Sequence, residues 1–508
     1  MRTVPGNTNS VVIVGAGLGG LSAALHLAGA GRHVTVVERE AVPGGRCGLI
    51  RDHGYYFDTG PTVLTMPGLL ARPLNAVGEE LDSWLTLHQL DPAYRARFAD
   101  GSRIDVRANV DDMAEQIATT CSRRDADGYR RFVDYLRELY RVEMPHFIDR
   151  NLDSPVQLVG APLARLLAMG AFRRLGPKVA SYVEDERLRR LFSFQSMYAG
   201  LAPAQALAIY SVITYMDCVE GVYFPEGGMH AVPRALAGAA AAHGVQFRYN
   251  TTVSGIEVAG SRARGVVTAG GERIPADVVV VNADLPTAYT ELLPPGYRPR
   301  RVKRLRYSPS AVVLHAGSSA TFEDAAHHTI NFGSAWESTF DEIVGRGELM
   351  SDPSFLLTTP TLTDPSLAPA GRNSYYALFP APNLDPRRRR PIDWTSEAAR
   401  YREQLIETLE TRGYKGFRDG IECEHLVTPA GWRAQGLAAG APFAAAHSFR
   451  QTGPFRSPTI DPSIENLVFA GSNAQPGVGV PMVLVSGRLA AERVTGAARR
   501  GRGATMGR

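Results

Sequence analysis

The residues best able to do chemistry stand near the start of the chain, in "VVIVGAGLGGLSAALHLAGAGRHVTVVEREAVPGGRCG", residues 11–48. Gly15, Gly17 and Gly20 form G-x-G-x-x-G directly after an apolar β-branched run, and an alanine-rich helical stretch follows. Each glycine has a mechanical reason: a tight turn at Gly15, close backbone approach to a pyrophosphate at Gly17, and helix-on-strand packing at Gly20. The phosphates would rest on the free N–H groups and positive end of that helix. A second strand, "HVTVVE", ends at Glu38, about twenty residues on, where an acid accepts hydrogen bonds from both hydroxyls of a ribose and repels a 2′-phosphate. The constellation predicts a dinucleotide site.

The next residues decide which dinucleotide. A simple nicotinamide site runs on to the next crossover helix, whereas here "PGGRCG" (residues 43–48) follows Glu38 almost at once, and "FDTGPTVL" comes soon after. The glycine pair admits backbone amides to a cofactor, and Arg46 offers a planar donor fork for a phosphate or carbonyl. The reading is FAD. The candidate cofactor-binding set is Gly15, Gly17, Gly20, Glu38, Arg39, Gly45, Arg46, Gly60, Pro61, Thr62, Val253, Gly471, Gly477, Val478, Gly479 and Val480, with no metal ligands.

These residues need elements to hold them. Residues 111–140 read as charged helices. At 227–249 a glycine pair precedes an alanine-rich helix and a strand, and residues 253–268 form a hairpin that leads to the buried run "DVVVVNAD". Residues 301–425 loosen into proline-punctuated strands and helices that suit a mixed sheet. The chain closes with a strand at 467–470, a glycine-rich loop, and a helix from about Pro481 whose N-terminus could face a negative group. The expected fold class is α/β: a discontinuous Rossmann-like FAD-binding domain (1–90, 218–300 and 426–508) with a mixed α+β substrate domain (91–217 and 301–425) that contains a helical, membrane-facing part.

Composition sets bounds. The chain has 508 residues, 44% hydrophobic and 21% charged, with a formal net charge of +4, too little to argue for nucleic acid. Four scattered cysteines form no C-x-x-C pair, and no apolar signal core precedes the first strand, so a reduced, cytoplasmic setting is expected. The uncharged window 191–216 reads either as two buried helices broken near Pro203 or as helices lining a greasy cavity. Residues 155–183 mix Leu163, Leu167 and Phe172 with Arg165, Arg173, Arg174 and Lys178, which suits a lipid surface or ordinary packing helices. The arginine run 387–390 reads as a solvated turn or a phospholipid contact.

With the flavin motif, "YFPEGGMHAVPRAL", "VNADLP", "KVASYVEDERLRRLFSFQSMYAG", "AHHTINFG" and the terminal "GSNAQPGVGVPMVLVSGRLAAERV" all in order, the chain resembles the bacterial-type phytoene desaturases, actinobacterial ones most of all. The resemblance implies an FAD-dependent carotenoid desaturase, peripheral to the membrane, that converts phytoene into conjugated products such as lycopene. It carries cofactor roles onto Gly15, Gly17, Gly20, Glu38, Gly45, Arg46 and the loop 477–480. Where many relatives read P-G-x-G-x-P-G, this chain has Met482 after Pro481, which touches the fine shape near flavin or substrate.

Removing two hydrogens from an unactivated allylic pair needs a hydride acceptor, with the protein supplying position and shielding. A proton must leave too, and Asp149, Glu226 and His230 are the candidate acceptors. Quinone or oxygen is the expected electron acceptor, since no second nicotinamide loop is evident. The alternatives are a desaturase or ketolase of another carotenoid, or an isoprenoid-binding protein of the same fold without redox work.

Overall fold

The computed structural model describes residues 1–387 and 391–496. Arg388, Arg389 and Arg390 of the arginine run lie outside the described residues.

Valine and isoleucine runs buried on both faces favour parallel pairing. A five-stranded parallel sheet results, in the order Leu467–Phe469, Val278–Val281, Ser10–Val14, His33–Val37, Gln246–Arg248. Val11 stands opposite Val278 and Val34, so alternate side chains of the central strand serve two different cores. Val11 and Ile13 pack among Leu21, Leu25 and Leu489 of the helices Leu18–Gly29 and Val480–Thr495. Val12 and Val14 pack with Val266 and Ile256, from a small antiparallel sheet of Val253–Ala259, Arg262–Thr268 and Arg273–Pro275. The two helices meet backbone to backbone: a Cβ on Gly487 would stand 2.3 Å from the carbonyl oxygen of Gly19. The first and last elements of the chain thereby share one sheet face.

A second, seven-stranded sheet runs Ile421–Val427, Ser310–Ser318, Asn373–Ala381, Phe355–Thr358, His328–Asn331, Tyr94–Arg97, Arg103–Val106. It is mixed, as expected: His328–Asn331 and Tyr94–Arg97 pair in parallel, and the other neighbours are antiparallel. Tyr401, Leu405 and Leu409 of the helix Trp394–Thr411 cover Val312 and Leu314 on one face. The other face carries Ala311, Val313 and Tyr376.

The charged helices appear as Val110–Thr120, capped by the Asn109 side chain, and Arg123–Glu143, capped by Ser122. The window 191–216 departs from the two-helix reading. It forms short 3-10 turns, Phe194–Ala199 and Ala208–Tyr210, before the eight-residue helix Ser211–Cys218. Gly200 at φ 71° ends the first turn, and Pro203 follows before a helix can restart. Among the described residues no helix is long and apolar enough to cross a membrane.

Candidate active site

The first strand ends in a turn at Gly15 (φ 100°), whose N–H donates to the carbonyl of Val37 (2.9 Å). A Cβ on Gly20 would sit 2.3 Å from the carbonyl oxygen of Gly15, so only glycine lets the helix start so close to the strand. Gly17 caps that helix with no side-chain bond, leaving its first N–H groups for a ligand. Glu38, 6% exposed, accepts from the N–H of Ala16 (2.6 Å) and of Glu40 (3.0 Å), one bond per oxygen. A carboxylate keeps further acceptor capacity on each oxygen, enough for two ribose hydroxyls.

Arg46 joins both ends of the chain. Nη1 donates to Ser472 Oγ (2.8 Å) and Nη2 to Asp284 Oδ1 (3.2 Å), while Nε is buried with no partner. Asp284 also accepts from Asn473 Nδ2 (2.6 Å) and from the N–H of Ala438 (3.1 Å). Burial draws the Arg46 pKa down and the Asp284 pKa up, and their mutual attraction opposes both shifts. The orphaned Nε is a buried donor for which the protein supplies no acceptor.

At the far end of the chain, Gly479 (φ 112°) leads into the helix Val480–Thr495, and Pro481 stands in its first turn. A Cβ on Gly477 would fall 2.1 Å from the ring of His447. Burial holds the pKa of that histidine well below its usual value, and its neutral Nε2 accepts from the N–H of Val478 (3.4 Å).

All these loops open into one cavity of about 1630 Å³, larger than the ~300–1000 Å³ of an ordinary ligand pocket. One part is lined by Gly15, Gly17, Glu38, Arg39, Gly45, Arg46, Gly60, Pro61, Thr62, Val253, Gly471, Val478, Gly479 and Val480. The remainder is largely apolar: Phe194, Met197, Leu207, Ile213, Met216, Phe332, Leu378, Trp432 and Met482 among others. A glycine-cradled dinucleotide and a long greasy ligand can share it.

A family described as flavin containing amine oxidoreductase matches residues 18–495. A phytoene dehydrogenase of Streptomyces griseus is 54% identical over 98% of this chain and 97% of its own length. A zeta-carotene-forming phytoene desaturase of Myxococcus xanthus is 36% identical over 95% of this chain and 93% of its own. The chain belongs to the phytoene desaturase family of flavin-dependent oxidoreductases. Its fold is that of the flavin amine oxidases: a cyclohexylamine oxidase of Brevibacterium oxydans superposes with a TM-score of 0.59 at 17% identity, covering 96% of this chain and 99% of that one.

The enzyme uses FAD, and the glycine cradle, the acceptor pair on Glu38 and the orphaned donor of Arg46 fit that cofactor. Of the candidate cofactor residues, Gly20 and Gly477 stand outside the lining and act through close packing. The three candidate proton acceptors also stand outside the lining. Asp149 is held by Arg72 (2.8 Å) and Arg488 (2.5 Å) and so ties the C-terminal helix to residues 67–75. Glu226 is two-thirds exposed, 4.0 Å from His88. His230 is buried at the head of the helix Ala231–Ala242, where its Nδ1 donates to the carbonyl of Cys47 (2.9 Å).

Buried carboxyl groups outside the candidate set also line the cavity. Glu143 and Asp217 are 3% and 1% exposed, and each has a buried oxygen without a partner. Asn282, Asp284, Ser472 and Asn473 were also missed as site residues. They follow strands of the parallel sheet, where ligands of open α/β sheets bind, so that position was an available signal.

Proposed function

We propose that this enzyme desaturates phytoene to more conjugated carotenes such as lycopene, as its named relatives indicate. The observation that carries the reading is the single cavity in which the dinucleotide cradle continues into a long apolar lining. A polyene has no polar handle, so its affinity comes from buried area, roughly 0.8 kcal/mol per CH₂. FAD, when bound, supplies the hydride acceptor. On this reading, Gly15, Gly17, Gly45 and Gly471 admit the cofactor's backbone-facing edges. Glu38 holds the ribose, Arg46 directs Nε toward the cofactor, and residues 477–480 present the helix N-terminus. The division into a discontinuous cofactor domain (1–90, 218–300, 426–508) and a substrate domain (91–217, 301–425) belongs to the same reading, with quinone or oxygen as the acceptor.

Substrate must enter from the lipid phase. Leu167, Phe449 and Phe455 line the cavity and are 59%, 57% and 42% exposed, and Val156 and Val159 stand out further along the same segment. Three of the four basic residues there are engaged elsewhere: Arg165 with Glu138 (2.9 Å), Arg174 with the carbonyl of Gln205, and Lys178 over the Tyr135 ring (4.3 Å). Apolar insertion of this rim, more than charge, is therefore the proposed docking force. Flavin-loaded protein is expected to float with liposomes with little dependence on salt. A Leu167→Asp, Phe449→Asp, Phe455→Asp triple variant is expected to stay at the bottom of the gradient. Wild-type protein that fails to float sinks the docking proposal.

The activity test is incubation with phytoene in liposomes and quinone, read by visible spectroscopy and chromatography. A structured polyene band is expected, and bound yellow flavin should bleach on substrate. Flavin-loaded protein that leaves phytoene unchanged would overturn this reading.

A further inference from the structure

Asp217 sits on the helix Ser211–Cys218 with its side chain in the cavity wall. Its Oδ2 accepts from the hydroxyl of Tyr94 (3.3 Å), and Oδ1 has no partner. Tyr198 lines the cavity beside it. A chain of contacts leads from here to the cofactor loop: the Tyr94 ring lies 5.6 Å from that of His328, His328 Nδ1 pairs with Thr358 Oγ1 (2.9 Å), and Thr358 Oγ1 donates to Thr62 Oγ1 (3.4 Å). An unpartnered carboxyl oxygen in an apolar wall costs stability unless something uses it.

Resting on the desaturation reading above, we propose that Asp217 is the catalytic base that receives the proton leaving the substrate. One allylic C–H bond breaks and its electron pair leaves as hydride to the flavin. The neighbouring C–H bond breaks, its pair becomes the new C=C bond, and the proton passes to Oδ1 of the Asp217 carboxylate. Tyr94 is the positioning residue that steadies Oδ2 and leaves Oδ1 without a partner of its own.

Burial raises the Asp217 pKa from 3.8 to about 8, near the pH at which a general base works best. The titratable groups around it are Tyr94 of the strand Tyr94–Arg97, Tyr198 of the turn Phe194–Ala199, and Cys218 of its own helix. Tyr129 of the helix Arg123–Glu143 faces Cys218. Burial drives each of these four upward, so none turns anionic before Asp217 does. Glu143, another carboxyl in the wall, lies near Tyr210, whose hydroxyl donates to the carbonyl of His447, and burial alone pushes it well above the usual range.

The test is anaerobic single-turnover bleaching of flavin-loaded enzyme by phytoene across pH, alongside infrared titration of the flavin-free protein. In the wild type the bleaching rate is expected to climb about tenfold per pH unit and level off above about 8. Asp217→Asn is expected to lose roughly a hundredfold or more of the rate and all of the climb. The flavin-free wild type should show a protonated-carboxyl band that disappears as pH passes about 8 and is missing in the variant. Should Asp217→Asn fail to fold, Tyr94→Phe serves: freed of a hydroxyl that stabilises the carboxylate, the level-off should move to higher pH. An unchanged rate and profile in Asp217→Asn overturns the proposal, as does an unmoved profile in Tyr94→Phe. So does loss of the climb in Glu143→Gln but not in Asp217→Asn. A wild type that never bleaches with phytoene sinks the desaturation reading instead, and the infrared titration still reports whether Asp217 holds its proton as argued.

Discussion

Gly60→Ala is expected to yield protein that purifies nearly colourless and binds added FAD about a hundredfold more weakly than the wild type. A Cβ at this position would stand 1.8 Å from the carbonyl oxygen of Arg46 and 2.7 Å from its carbonyl carbon. Both are backbone atoms, so no side chain can turn aside. The loops 43–48 and 57–62 must part, although the N–H of Thr59 donates to the carbonyl of Gly48 (3.1 Å) to hold them together. Parting them carries Arg46 away from Ser472 and Asp284, and with it the link between the N-terminal and C-terminal loops. Overpacking a tight site costs ~1–3 kcal/mol, and a clash that only backbone movement relieves belongs at the upper end. At about 3 kcal/mol charged to the bound state, the loss is roughly two decades in Kd. Gly68→Ala is the control: it lies inside the helix Pro67–Asn75 with nothing within 4 Å of an added Cβ, and should bind FAD like the wild type. The measurement is FAD titration followed by flavin fluorescence, with thermal unfolding of both variants. Equal affinity for the two variants would remove the loop contact from the account of cofactor binding.

The sequence places Gly60 among the cofactor residues but does not show the contact that requires a glycine there, while it does show the reason for Gly15 and Gly20, and the difference is a matter of range. The first three glycines act on their own strand–turn–helix unit, so their spacing is the message. Gly60 answers to Arg46, fourteen residues back across a turn, and Gly477 answers to the ring of His447, thirty residues away. The valine runs at 11–14 and 278–281 announce strands because both of their faces are buried, and a hydrophobic run needs no partner to be recognised. Asp217 and Glu143 are legible only as acids on helical segments, which are ordinarily solvated. Their burial arises because the helix Ser211–Cys218 lies against Arg123–Glu143 and closes the wall of the cavity. The window 191–216 shows the same limit from the other side. Its lack of charge correctly marked a greasy lining, but whether that lining was helical turned on Gly200 and Pro203, where local backbone geometry overrides hydropathy.

The ribose assignment of Glu38 can be separated from its structural work, because the two have different readouts. Glu38→Ala removes the acceptors for the N–H groups of Ala16 and Glu40. The Ala16 N–H is then left buried without a partner, which costs ~1–3 kcal/mol of stability even in the flavin-free protein. If Glu38 also holds the ribose, FAD loses hydrogen bonds to a charged group, each ~1.5–3 kcal/mol, and Kd should rise about a hundredfold beyond any effect on folding. Glu38→Gln sharpens the distinction. Its single carbonyl oxygen can serve Ala16, but its amide then turns two donors toward Glu40 and the ribose, whose hydroxyls can still accept from it. The glutamine variant should therefore recover most of the stability and only part of the affinity. Calorimetric titration with FAD and urea unfolding of both flavin-free variants measure the two effects independently. A pair of variants that unfold early yet bind FAD like the wild type would confine Glu38 to tying the loop 15–17 to residues 38–40, and the ribose would need another partner.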